Sequence, residues 1–249
     1  MATTRRKPLN RERILDTALS LVDEEGLEAL SMRKLGQALG YEAMSLYNHV
    51  ANKDDLLDGI LDLVLAEMEL PDPAGGLKSI RSSSISAHEA LVRHPWAAGL
   101  LMSPARIRPA RLEFMDSLLA ALRESGFSAE TTYTAYHVLD AHIIGFSLWQ
   151  STHGSLPADI DLENMRPFLD RMLPAEKYPH MHEHGMQHLE EGPHRDVRTF
   201  EYALDLLLDG LERSRASSCG PAAAPRGSTA ARSRSTSRAR SGRRSPSRR

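Results

Sequence analysis

Residues 31–50, SMRKLGQALGYEAMSLYNHV, decide the fold of this chain. Ser31 is a residue type that caps helix N-termini, and Gly40 one that closes helices in the left-handed region. The stretch therefore reads as a short helix, a tight turn at Gly40 and a second helix over about Ala43–Val50. Leu35 and Leu39 on the first helix, with Leu46 and Val50 at i and i+4 on the second, close a small core against Ile14, Ala18 and Leu21. With Leu46 and Val50 turned inward, Met44, Ser45, Tyr47 and Asn48 point outward. Met, Tyr, Asn and Ser make an odd solvent face but a sensible major-groove face, because Asn bridges adenine and apolar side chains touch thymine methyls.

Upstream, Ile14, Leu15, Ala18, Leu21 and Val22 recur at helical spacing between the cap Asn10 and Gly26. Downstream, Asn52 caps a longer helix with the stripe Leu56, Leu57, Ile60, Leu61, Val64, Leu65 and Met68. Arg5, Arg6, Lys7, Arg11, Arg13, Arg33, Lys34 and Lys53 place cations around the motif. Lys53 sits at a helix start, where backbone N–H groups also attract phosphate.

Pro71, Pro73, Gly75 and Gly76 interrupt the pattern and mark a boundary. Helices are expected beyond it at about Leu77–Arg93, Ala110–Ser125, Ala129–His153, Leu162–Met172 and Pro193–Arg213, with no convincing strand pattern. The reading is an all-α protein. Residues 1–70 read as a helix-turn-helix DNA-binding domain, 77–213 as a second helical domain, to which the family resemblance given below assigns ligand binding and dimerisation, and 214–249 as a disordered Arg/Ser-rich tail.

The formal net charge of −2 conceals a partition: Ser214 to Arg249 holds ten Arg and no acidic residue, leaving 21 basic and 33 acidic residues in 1–213. The tail has too little apolar surface to offset its ordering entropy. It reads as a solvated extension or a phosphate-binding arm. The 249 residues carry one cysteine, Cys219, which excludes a disulfide scaffold within the chain and a Cys-rich zinc module. No secretory signal is read in Met1–Asn10, and the apolar stretch Ile143–Trp149 is too short to span a bilayer. A cytoplasmic protein with no membrane partner is expected.

From Arg13 to Leu57 the chain resembles the N-terminal domain of the TetR family. The likeness runs through Gly26-Leu27, Arg33-Lys34-Leu35, Leu39-Gly40, Ser45-Leu46-Tyr47, His49-Val50, Asn52-Lys53 and Leu56-Leu57. A weaker likeness to the tetracycline-repressor type continues through LLAALRESGFS at 118–128 and FEYALDLLLDGLE at 200–212. The resemblance implies a repressor that binds a palindromic operator as a homodimer and is released by a small effector. It places Arg33 on a guanine edge and Ala43, Met44, Ser45, Tyr47, Asn48 and His49 along the groove or its phosphates, with Lys53 on a phosphate; Ser31 joins this DNA-binding set. Asn48, Ala43 and Met44 replace tryptophan, glutamine and proline of the tetracycline-responsive type, which implies a different operator.

Dimer contacts are expected from Leu139, Ile143, Leu204, Leu207, Leu208 and Leu211, on two long apolar-striped helices that would form an intermolecular four-helix bundle. An effector cavity is expected among Trp96, Leu101, Phe114, Leu118, His137, His142, Phe146 and Trp149. Ser83, Ala87, Leu118 and Trp149 stand where the tetracycline-responsive type has polar or aromatic drug contacts, and Pro104 where it has its magnesium-binding histidine. These replacements imply a more hydrophobic effector.

The segment 178–194, YPHMHEHGMQHLEEGPH, holds His180, His182, His184, His188 and His194. His184 and His188 have a zinc-compatible i, i+4 spacing. Gly185, Gly192 and Pro193 interrupt a continuous helix, and no HExxH order is present, so a solvated loop is expected. A metal-dependent enzyme is the alternative, as is a non-specific nucleic-acid binder acting through the tail. No cofactor-binding motif is found, and neither catalysis nor a metal is expected.

Overall fold

A computed structural model describes residues 8–103, 108–153, 162–191 and 195–218. The described residues are helical, without strands. The helices are α1 Arg11–Glu25, α2 Met32–Leu39, α3 Ala43–Leu46, α4 Lys53–Ala66, α5 Gly76–Arg93, α6 Pro95–Leu101, α7 Pro109–Glu124, α8 Ala129–His153, α9 Leu162–Met172, α10 Pro179–Glu191 and α11 Arg195–Ser218. Short 3₁₀ turns at Leu27–Ala29 and Pro73–Gly75 join α1 to α2 and α4 to α5.

Side-chain caps set the starts of the first helices. The Asn10 side chain accepts from the Arg13 amide at 2.9 Å, the Ser31 hydroxyl from Lys34 at 3.2 Å, and Asn52 from Asp55 at 2.8 Å. Gly40 closes α2 at φ 75°, and its amide donates to the Gln37 carbonyl at 3.2 Å. Next to it, the Tyr41 amide returns to the Gly36 carbonyl at 2.9 Å. A Cβ on Gly36 would lie 2.8 Å from the Tyr41 carbonyl oxygen and 3.2 Å from the Ala43 nitrogen, so the α2–α3 turn is closed over a backbone without a side chain.

Two cores organise the chain. Ile14, Leu15, Ala18, Leu21, Val22, Leu30, Leu35, Leu39, Leu46, Val50, Leu56 and Ile60 form the first. The second is built from α5, α7, α8 and α11, and it also contains Leu61, Val64, Leu65 and Met68. Helix α4 therefore contributes its first half to one core and its second half to the other. No break separates them, and the Pro/Gly-rich segment read as a boundary lies beyond the end of this shared helix.

Four elements differ from the sequence reading. The second helix of the motif is regular only over Ala43–Leu46 and continues as turns, with the His49 and Val50 amides both donating to the Leu46 carbonyl. Helix α6, opened by Pro95 at its first turn, was not read from the sequence. The histidine-rich segment is helix rather than loop over Pro179–Glu191. There a Cβ on Gly185 would lie 3.5 Å from the side chains of Leu169 and Leu173, an ordinary van der Waals contact, so the position sits within the packing against α9 without breaking the helix. Helix α11 also runs to Ser218, past the expected start of the tail, and residues 219–249 lie outside the described residues.

Gly36→Ala should force the α2–α3 turn apart and destabilise the first core by about 1–3 kcal/mol, the usual range for overpacking. Urea unfolding against the wild-type chain measures the loss. An unchanged midpoint would show that the turn yields without cost.

Candidate nucleic-acid interface and effector domain

The α3 segment is anchored by the fully buried Leu46 and by Val50, 2% exposed. That anchoring leaves Met44 75% and Tyr47 44% exposed, with Asn48 also exposed. Ser45, Ala43 and His49 are half-buried, and Ser31, Arg33 and Lys53 are exposed. The nine residues therefore gather around one end of the small domain, on α2, α3 and the start of α4.

The cations around them divide into two sets. Arg11 grips Asp55 with both guanidinium nitrogens, at 2.9 and 2.8 Å, and also donates to the His49 carbonyl at 3.0 Å. The Arg11 guanidinium, and then the Ala51 amide, hold the Asp55 carboxyl down at about 2. This fork binds α1 to the end of the α3 turn and the start of α4, so Arg11 fixes the α3 segment in place. Lys34 pairs with Glu25. Arg33 and Lys53 have no ion pair among the described residues, and Arg5, Arg6 and Lys7 lie outside them.

The expected cavity residues do not form one wall. Phe114 and Leu118 are buried in the second core, and Leu101, His142 and Phe146 are half-buried around it. Trp96 packs against both cores and also ties α6 to α1, its indole N–H donating to Asp23 at 2.7 Å. His137 is exposed and bonded to the Tyr133 carbonyl at 2.7 Å, and Trp149 is likewise exposed on α8. The Ser83 hydroxyl is already committed to the Glu69 carbonyl at 2.7 Å. Pro104 lies outside the described residues.

Four of the expected dimer residues also sit elsewhere. Leu139, Ile143, Leu204 and Leu208 are buried within the chain's own second core, where α8 packs on α11; Leu207 and Leu211 are half-buried. The stripes that looked intermolecular are the intramolecular seam. The opposite faces carry the exposed apolar side chains Tyr133, Val138, Leu148 and Trp149 on α8, and Tyr202 and Leu206 on α11. On α8 that outer face, Tyr133, Thr134, His137, Val138, Ala141, Gly145, Leu148, Trp149 and Thr152, carries Glu130 at its N-terminal end and beyond it no acidic or basic residue other than His137.

Two polar arrangements escaped the sequence reading. At the junction of the cores, His94 is buried with Nδ1 2.8 Å from Asp23 of α1 and Nε2 3.1 Å from Glu67 at the end of α4. Arg93 holds the same Glu67 at 2.7 Å. Inside the second core, His88 is 2% exposed and stacks on Phe200 at 3.8 Å, with His142 on Phe200 at 4.6 Å. The signal for His88 was present, since it falls on the stripe Ile80, Ser84, Ala87, Leu91 of α5. Burial, aided by the neighbouring His142, pushes the His88 imidazole down to about 4.

Among the described residues no group of three or more His, Cys, Asp or Glu side chains could hold a metal ion. His182 spends Nδ1 on the Leu173 carbonyl at 2.9 Å, and His194 lies outside the described residues. The metalloenzyme alternative is not favoured. No described helix is long and apolar enough to cross a membrane.

A family model described as bacterial regulatory proteins, tetR family, matches residues 14–60. A second, tetracyclin repressor-like, C-terminal domain, matches residues 79–215, more than half the chain. The HTH-type transcriptional repressor DrrR1 of Streptomyces coeruleorubidus is 32% identical over 216 residues, covering 82% of this chain and 77% of that protein. The tetracycline repressor protein class D of Escherichia coli is 31% identical over 211 residues, covering 80% and 93%. Among solved structures, apo ActR from Streptomyces coelicolor superposes with a TM-score of 0.66 at 28% identity, covering 86% of this chain and all of that one. ActR in complex with actinorhodin gives 0.62 at 29% identity, covering 84% and 99%.

His88 gives the second core an acid sensitivity of definite sign. The unfolded chain takes up a proton at this ring below about pH 6.5, whereas the folded chain resists it until about pH 4. Stability is complete above the first value and is lost as pH falls toward the second, by at most about 3 kcal/mol. His88→Phe should flatten that part of the stability-against-pH curve relative to wild type, measured by urea unfolding between pH 7.5 and 4.

Proposed function

The chain belongs to the TetR family of bacterial regulatory proteins, and on that premise we propose that it is a cytoplasmic, ligand-responsive repressor whose homodimer reads a palindromic operator. The observation that carries this reading is the α3 segment, pinned by Leu46 and Val50 so that Met44, Tyr47 and Asn48 face outward beside Arg33 and Lys53. Unpaired by any described acid, Arg33 is suited to a guanine edge. Lys53, at the exposed N-terminus of α4, is suited to a phosphate.

One such head spans only a few base pairs, so useful specificity requires two, held about a helical turn or a multiple apart. The exposed apolar faces of α8 and α11 are the surfaces we assign to the partner subunit. Large contiguous exposed apolar patches are rare on soluble monomers. A four-helix contact through Val138, Leu148, Trp149, Tyr202 and Leu206 would cover them and fix the separation of the heads.

The relatives include repressors and a regulator solved with a bound small molecule, actinorhodin. By analogy the second core of this chain takes an effector that is a small hydrophobic molecule. Its effect is transmitted through α4, which lies in both cores, and through the contacts of Asp23 with His94 and Trp96 that tie α1 to α6. A ligand that packs better when these elements shift favours a head spacing that fits DNA poorly, and the shift is limited by its differential affinity for the two states.

Selection from a random duplex library should yield an inverted-repeat site. On that site Arg33→Ala should cost about 1–3 kcal/mol and relax the preference at one base position, while Lys53→Ala weakens specific and random DNA alike. Equal losses on both DNAs for Arg33→Ala would contradict the assignment. The joint substitution Val138→Asp with Leu206→Asp should convert the dimer to monomer in sedimentation equilibrium at micromolar concentration, with helical content retained. A wild-type chain that sediments as a monomer would overturn the paired-head account.

A further inference from the structure

Helices α5, α8 and α11 meet at a stack of three rings, His88, Phe200 and His142, and the hydrogen bonds around it fix the tautomer of the deeper imidazole, His88. The Ser147 hydroxyl has a single proton, and its short contact to the Ile143 carbonyl at 2.7 Å uses it. The same oxygen lies 2.8 Å from His88 Nδ1, so Nδ1 carries the hydrogen and donates. With the ring kept neutral by burial, Nε2 is left as a bare acceptor. It is buried and has no partner among the described residues.

A buried acceptor without a donor is costly, and native cores rarely keep one without a reason. Here the surroundings suggest the reason. Phe146 meets His88 edge-on at 5.7 Å and 75°, and it touches Trp149 at 5.6 Å. Phe146 is half-buried and Trp149 exposed, so aromatic side chains run from the surface to the His88 ring that carries the orphan nitrogen. Gln150 lies on the same α8 face as Phe146 and Ser147, and its Oε1 is a second buried atom without a partner.

Resting on the regulator reading, we propose that Nε2 of His88 is the hydrogen-bond acceptor for the effector, and that the effector class is a planar aromatic carrying a phenolic hydroxyl. The hydroxyl donates to Nε2, while the ring slides against Phe146 and Trp149 by displacing the Phe146 edge. Gln150 serves a second polar group on the same ring system. Ser147 acts as a positioning residue, because it holds the imidazole in the one tautomer that accepts at Nε2.

A matched pair of probes tests this: 2-naphthol, which has a donor, and 2-methoxynaphthalene, which has the same rings and none. In calorimetry with the full chain at pH 7.5, the naphthol should bind at least about ten-fold more tightly, a ratio expected when a buried acceptor is left unmatched. His88→Phe keeps the stack on Phe200 and removes the acceptor, so the ratio should fall to within about two-fold. Ser147→Ala frees the tautomer and should lower the ratio without weakening the methoxy compound; it decides the matter if His88→Phe fails to melt cooperatively. Equal binding of the two probes by the wild-type chain, binding of neither, or a preference that survives both substitutions would overturn the inference. Operator selection on the wild-type chain is scored separately. Specific DNA binding without the probe preference sinks this inference alone, and the probe preference without specific DNA binding sinks the regulator reading alone.

Discussion

The insertion of Leu46 and Val50 into the core formed by Ile14, Ala18, Leu21, Leu35 and Leu39 is the constraint on which the molecule depends. The α3 segment is one turn of regular helix and has no stability of its own, since isolated helices of that length do not persist in water. Its orientation is imposed from outside: by the two apolar anchors below it, by the Gly36–Tyr41 turn before it and by the Arg11 fork after it. These restraints together fix which side chains face out. The outward α3 face, proposed to read a DNA groove, is therefore a by-product of core packing, and its chemistry can vary at Ala43, Met44 and Asn48 without disturbing the anchors.

The same economy joins the two halves. Helix α4 has a nearly continuous apolar run, and its length, Lys53–Ala66, exceeds what the small core can cover. The surplus, from Leu61 onward, is buried by α5 and the helices behind it. A rigid helix with one end in each core carries any displacement from one to the other. His94 reinforces that link, since its two ring nitrogens face carboxylates on α1 and α4. Arg108, at the start of α7, adds another tie by reaching Asp62 of α4 at 2.8 Å.

Local signals were legible in the sequence where they act alone. Asn10, Ser31, Asn52 and Gly40 perform the capping roles their residue types announce, because a cap depends only on neighbours within four positions. Helix existence followed from periodicity in the same way. What the sequence left open was partner choice. A stripe such as Leu139–Ile143 or Leu204–Leu208 must be buried, but periodicity is silent on whether its own chain or a second copy buries it, and the seam proved internal. Gly185 misled for a related reason, since a glycine that weakens an isolated helix is tolerated once that helix packs against the side chains of Leu169 and Leu173. An aromatic or imidazole on an apolar helix has three uses — core, junction and outer surface — and only the tertiary contacts choose among them, setting Trp96 between the two cores and His137 on the outer surface.

The buried imidazoles show why such a site resists sequence reading and yet has consequences. His88 and His142 both lie on faces that pack inward, and both are pushed toward the neutral form by burial. Two charged rings stacked on one Phe200 would repel across a medium of low dielectric, so the fold tolerates the pair only as neutral groups. Neutrality makes each ring asymmetric, with one nitrogen donating and the other accepting. His142 directs its donor to the Phe200 carbonyl at 3.1 Å, and His88 directs its own to Ser147. An apolar residue at position 88 would stabilise this core without an orphan acceptor. Histidine there trades some stability for a directional group deep in the second core, and directional groups are what allow a hydrophobic site to discriminate among ligands of similar size.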